Sequence, residues 1–154
     1  MQSYGLVSIG SHTGAWLHIE LERFKNTKNI LVEPVPYNLK ELKQNIINYN
    51  NIVIEDSAIN DKDGNQPFYH VKRDSISKLK KHWSSGLGSF DKSHLLNHRS
   101  KRFLISETDI EEITINCLSF SSLVKKYKIK SIQKLILAIE GAEYKVLNTI
   151  DFKH

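Results

Sequence analysis

Apolar positions recur along this chain in two alternating rhythms. Residues 5–9 (GLVSI) form a short apolar run that stops at Gly10, the pattern of a buried strand. Leu17, Leu21 and Phe24 then fall at i, i+4, i+7, one face of an amphipathic helix. Residues 29–33 (NILVE) repeat the strand pattern, and Pro34 and Pro36 stop it. A second helix follows on Leu39, Leu42 and Ile46, and residues 52–59 (IVIEDSAI) give a third strand. The order β-α-β-α-β with short connections predicts a parallel sheet with right-handed helical crossovers, an α/β fold.

The second half is less regular. Asn60-Asp61-Lys62-Asp63-Gly64-Asn65 is a turn by composition, and Phe68, Tyr69 and Val71 suggest a short strand. Residues 74–102 show no clean period; they read as an insertion on the sheet's edge or rim, helical around 91–98. A strand is expected over 109–118. Phe120, Leu123, Val124 and Tyr127 define a helix, and 134–139 (KLILAI) is a strand apolar enough to be buried on both faces. It runs into Glu140-Gly141-Ala142-Glu143, after which Tyr144, Val146 and Leu147 start a further helix.

Length and composition narrow the class. The 154 residues, 40% apolar and 25% charged, fit one soluble domain over 1–154 and exclude a disordered chain, a collagen or a disulfide framework. No apolar run approaches the ~18 residues of a membrane span, and the N-terminus lacks the basic start of a signal peptide, so cytoplasm is the default compartment. A lone Cys117 forms no internal disulfide or thiolate metal site and reads as a small core residue. The net charge of +5 is unevenly spread: 72–102 holds nine Lys/Arg against two acids, the rest thirteen against fifteen. Such a basic segment suits nucleic acid, an anionic membrane or an acidic small substrate; the bland alternative is a solvated surface.

The chemistry gathers where the strands end. Gly10-Ser11-His12-Thr13-Gly14 sits between the first strand and helix, where glycine lets a ligand approach the backbone. Glu33, at the tip of the second strand, can accept two hydrogen bonds from a ribose diol. G-x-x-x-G differs from the dinucleotide pattern G-x-G-x-x-G, which favours a nucleoside cofactor such as S-adenosylmethionine over a diphosphate one. The bland alternatives are a simple turn and an exposed strand-end acid.

The blocks IGSHTG, LVEPVPYNLKELKQNI, DSAINDKDGNQPFY and, most specifically, IEGAEYKVL resemble the FkbM-type family of S-adenosylmethionine-dependent methyltransferases, in the family's order and over nearly the whole chain. The resemblance implies a Rossmann-like methyltransferase fold and methyl transfer to a hydroxyl oxygen, often of a sugar or natural product. Carried over by position, it puts Gly10, Ser11, His12 and Gly14 around the methionine part and ribose of the cofactor. Glu33 would hold the ribose hydroxyls, Pro34 would shape that corner, and Ser57 and Ala58 would lie beside the adenine. Glu140 and Glu143 would edge the transfer site as the catalytic carboxylates. Three positions depart from the family pattern: Ser8, Ala138 and Ser119 stand where acids are usual. The expected parallel core order is 3-2-1-4, with 134–139 fourth; the resemblance further implies that roughly the last three strands of the family's fold would be missing after His154, as in a fragment or a shortened relative.

Within 74–102, Lys80, Lys81, Trp83 and Arg99 are the candidates for binding an anionic or saccharide-like acceptor, as loops at the carboxyl edge of a parallel sheet carry specificity. The base for an alcohol acceptor is left among Glu140, Glu143 and a histidine of this segment. His94 and His98 share a helix face, but without an evident third ligand no metal is expected. Trp16 reads as a packing residue. A sheet edge as apolar as 134–139 would aggregate, pair with a second copy as a homodimer, or leave the chain poorly stable. Two other functions compete with methyl transfer: a binding-only relative that has lost turnover, favoured by Ser8 and Ala138, and, less favoured for want of interleaved aromatics, a nucleic-acid-binding module.

Overall fold

Six successive residues of the first strand, Tyr4 to Ile9, are buried, which requires cover on both faces of its sheet. The computed structural model, described here over residues 1–79, 82–100 and 103–151, supplies that cover. Its strands are β1 (Gln2–Ile9), β2 (Lys28–Val32), β3 (Ile52–Glu55), β4 (Ala58–Asn60), β5 (Gly64–Val71), β6 (Gly88–Ser89), β7 (Arg99–Ser100), β8 (Phe103–Leu104), β9 (Ile110–Ser119) and β10 (Ile129–Leu137). Its helices are α1 (His18–Arg23), α2 (Pro36–Asn45), α3 (Arg73–Leu79), α4 (Lys92–Asn97), α5 (Phe120–Lys126) and α6 (Glu143–Leu147). One sheet is wholly parallel, in the order β10-β1-β2-β3.

Alternation along the strands divides the core in two. Leu6 and Leu31 point to one face, where α1 and α2 bring Leu17, Leu21, Leu42 and Ile46. Val7, Ile9, Ile30 and Val32 point to the other, against Phe120 and Leu123 of α5 and Val146 of α6. Pro36 opens α2 at its first turn, where a missing N–H costs nothing. Ser119, the residue at a usual acid position, caps α5 by accepting from the Ser122 amide at 3.2 Å.

The second sheet, β4-β9-β5-β6, is mixed: β4 runs parallel to β9, while β5 is antiparallel to both β9 and β6. Residues 52–59 are therefore two strands in two sheets and not the single third strand expected from sequence. The cause is Glu55. Its carboxylate turns back to accept from the Ser57 amide at 3.0 Å and is sealed by Lys126 at 2.6 Å and Tyr127 at 2.7 Å, so the chain leaves the first sheet at 56–57. Two other strands are longer than their apolar patterns. β5 pairs with β9 from Gly64 onward, and β10 starts at Ile129, just after Lys128 at φ 51 ends the preceding helix.

The basic segment holds more structure than its lack of period implied: α3, a 3-10 turn over His82–Gly86, β6, α4 and the β7–β8 hairpin. Asp91 caps α4 by accepting from the Ser93 amide at 2.8 Å. Among the described side chains every Lys or Arg of this segment is engaged. Lys72 donates to the Thr108 carbonyl, and Arg73, Lys78 and Lys92 pair with Glu41, Asp109 and Glu107. Trp16 is 49% exposed, correcting its expected packing role; its indole N–H donates to the Ser11 carbonyl, which a surface position allows. Cys117 is fully buried, and desolvation pushes its thiol up to about 11. No helix among the described residues is long and apolar enough to cross a membrane.

Candidate functional site

The turn after β1 is built by close approach. Gly10 has φ 83, and a Cβ there would stand 2.0 Å from the Ala138 carbonyl oxygen just past β10. Glycine is thus required twice, for the left-handed backbone and for the contact. The Gly10 and Ser11 amides both donate to the Val32 carbonyl, at 3.0 and 2.8 Å, which fastens the turn to the end of β2. Gly14, at φ 74, leaves room for Leu42 of α2.

Glu33 follows β2 at the same edge. Its side chain accepts from the His12 amide at 2.8 Å through one oxygen and from the Val35 amide at 3.0 Å through the other. The carboxyl is only 5% exposed, and burial pushes it up to about 7, against the opposing pull of the two amides and Asn38. Glu33 therefore ties the glycine turn to the start of α2 and keeps further lone pairs for a ligand.

Between the turn and Glu33 opens a narrow cleft of about 40 Å³. Gly10, Glu33, Pro34 and Ala58 line it. Of the other positions expected near a cofactor, Ser11 is buried beneath, donating to the Ser8 carbonyl at 3.0 Å. His12 turns away, its ring bonded to the Ser85 hydroxyl and its pKa lowered by burial. Ser57 is taken up by Glu55 and by Asn116, whose amide donates to the Ser57 hydroxyl at 2.8 Å.

The remaining walls include Ala138, which the sequence singled out as standing where an acid is usual, and residues that the sequence reading missed: Val35, Asn38, Phe68, Phe90 and Ile139. Asn38 carried a signal, since it lies four residues before Leu42 on the apolar face of α2. It is 2% exposed; its amide donates to the Ser85 carbonyl at 2.7 Å and its Oδ1 has no partner among the described residues. Phe68 and Phe90 meet edge to face at 5.2 Å. Phe90 and Gly86 belong to the basic segment, whose residues 84–90 roof the cleft and bond to both His12 and Glu140.

Glu140 and Glu143 have different environments. Both Glu143 oxygens are occupied, accepting from the Ile139 and Gly141 amides at 2.9 Å each. The turn they hold is left-handed at Glu140 (φ 51) and Gly141 (φ 98). Glu140 is bonded to His94, 3.1 Å away. His94 therefore has a carboxylate partner, and no group of three metal-binding side chains exists among the described residues. Lys80 and Lys81 lie outside the described residues, as do the side chains of Trp83 and Arg99. Ser8 is fully buried, and its hydroxyl has no partner among the described residues.

By fold and cleft the molecule is a mixed α/β protein with its candidate site at the carboxyl edge of a parallel sheet. The profile described as methyltransferase FkbM domain matches residues 8–154, and the chain belongs to that methyltransferase family. No curated protein and no solved structure matches it.

Proposed function

We propose that the chain binds S-adenosylmethionine in this cleft and methylates a hydroxyl oxygen of a small or saccharide-like acceptor. The observation that carries this reading is the pairing of Glu33 with the unpartnered Asn38 Oδ1 at one end of a mainly apolar slot. A carboxylate and an orphaned amide oxygen both call for donors, which a ribose diol and an amine supply. The Val35, Ala58, Phe68 and Phe90 walls suit a flat base. The residues present therefore fit the cofactor's nucleoside part. When bound, the cofactor supplies an activated methyl group; the protein's part is to align the acceptor, exclude water and receive the acceptor's proton.

Calorimetric titration with S-adenosylhomocysteine tests this. A micromolar dissociation constant is expected, weakened at least ~10-fold in both Glu33→Ala and Asn38→Ala. Absence of binding to the unaltered chain overturns the reading. Acceptor contacts fall to the roofing segment, with Lys80, Lys81, Trp83 and Arg99 as the residues that would meet an anionic or saccharide-like group.

One alternative has specific support. Ser8 and Ala138 put a hydroxyl and a methyl where the resemblance expects carboxylates, and the Ser8 hydroxyl is buried unpartnered. A relative that binds the cofactor without turnover would look like this. Transfer of labelled methyl to any of a panel of methyl glycosides excludes it.

A further inference from the structure

We propose that His94, oriented by Glu140, accepts the proton of the hydroxyl that is methylated. The inference rests on the methyltransferase reading and selects one base from the candidates at this edge. Glu143 is excluded because both its oxygens hold the 139–141 turn. The His12 ring is committed to Ser85. Glu140 is fixed at its side chain and at its backbone. Glu140 Oε2 lies 3.1 Å from His94 Nε2, and the Glu140 carbonyl accepts from the Ser89 hydroxyl at 3.1 Å, which pins the turn to the strand leading into α4.

The pair is about one-third exposed on each side, and Glu140 follows directly on Ala138 and Ile139 of the cleft wall. A carboxylate only accepts, so Nε2 carries the ring hydrogen and the neutral imidazole keeps its lone pair at Nδ1. Among the described residues Nδ1 makes no hydrogen bond. Gly141 meets the ring without a side chain: a Cβ there would stand 3.4 Å from Nδ1. The same carboxylate then stabilises the imidazolium that forms, as in other carboxylate–histidine pairs. The acceptor oxygen's electron pair forms the new O–CH3 bond, the C–S pair stays with sulfur, and the hydroxyl proton passes to Nδ1. The positive charge thereby moves from sulfur to a ring that Glu140 already faces.

Histidine-selective nitrogen NMR on the full chain tests the proposal with two ligands that differ only at the transfer point. S-adenosylhomocysteine is uncharged at sulfur; sinefungin carries a cationic amine there. The charged groups around the ring are Glu140 beyond β10, Asp91 at the start of α4, and Lys145 of α6 across from Asp91. None of them differs between the two complexes. His94 is expected in the Nε2–H form, with a titration midpoint about half a pH unit or more lower with sinefungin than with S-adenosylhomocysteine. His18, bonded to Tyr49 on α1, is the internal control and should not move. Equal His94 midpoints in the two complexes, or a ring protonated at Nδ1, overturn the role of His94 and leave the cofactor reading standing. Binding of neither ligand overturns both.

Discussion

The parallel sheet and the roof above it solve the same problem by different means. In the sheet, backbone places the chemistry: the glycine turn hangs from the Val32 carbonyl and the Glu33 side chain is held by two amides. In the second sheet and basic segment, side chains do the placing. Glu55 turns the chain out of the first sheet, Asp109 gathers Ser75, Lys78 and Ser106, and Ser85 and Ser89 fasten the roof to Asn38 and Glu140. A backbone-built edge tolerates few changes but keeps its geometry. A roof joined by individual side-chain bonds can vary one contact at a time, as the proposed acceptor-binding role would require.

The sharpest break of this comparison is a pair of glycine substitutions. Gly10→Ala puts a methyl 2.0 Å from the Ala138 oxygen on a left-handed backbone. It is expected to cost more than ~3 kcal/mol in urea denaturation and to abolish cofactor binding. Gly64→Ala, at the start of β5, has φ 113 but nothing within 4 Å of its Cβ. It should cost only ~1–2 kcal/mol, for the strained backbone alone. Equal losses would mean that the parallel edge is no stiffer than the second sheet.

Acids from the two regions respond oppositely to pH. Glu33 titrates near 4.5 when unfolded and is pushed up to about 7 by burial in the folded chain. Between those values the folded state holds a proton that the unfolded state has lost, so stability falls as pH rises through that window, by at most ~3 kcal/mol. Ribose hydroxyls favour the ionised form, so affinity for S-adenosylhomocysteine should rise up to ~10-fold from pH 6 to 8. Glu33→Gln should flatten both trends. Asp109, 2% exposed, is held below the usual carboxylate range chiefly by the Ser106 hydroxyl. Its stabilisation is present above the unfolded value near 4 and is lost as pH falls further. Asp109→Asn should therefore remove part of the acid limb of the stability profile and leave the window below pH 7 intact. Denaturation curves at pH 3, 5 and 7 measure both effects.

The same division decides what could be read from sequence. β1, β2 and their helices are covered on both faces, so burial is written as short apolar runs and i, i+4 stripes, and Gly10 and Glu33 sit where those runs stop. β5 was legible only at Phe68, Tyr69 and Val71 because its outer half, from Gly64 to Gln66, pairs with β9 through backbone alone. The break at 56–57 was hidden because Glu55 and Asp56 interrupt an apolar run as any polar pair would. Only the three-dimensional meeting with Lys126 and Tyr127 gives Glu55 its role. Phe90 meets Phe68 on another strand, and His94 meets Glu140 across 46 residues; no periodicity encodes such contacts.

The mildest test compares two aromatic walls of one cleft. Phe68 lies on β5, 5% exposed, packed with Val35, Ala58 and Ile115. Its removal leaves a cavity among buried neighbours, so Phe68→Ala should cost ~3–5 kcal/mol. Phe90 is half-buried on the roof and meets the edge of Phe68 at 5.2 Å, with the ring planes 80° apart. Phe90→Leu keeps most of the apolar contact and loses the aromatic geometry, worth ~0.5–1.5 kcal/mol. Stability should fall by no more than that, while affinity for S-adenosylhomocysteine drops ~3–10-fold, because the lost ring surface faces the slot and not the core. A larger change in stability than in affinity would move Phe90 from the roof into the core and erase the distinction between the two walls.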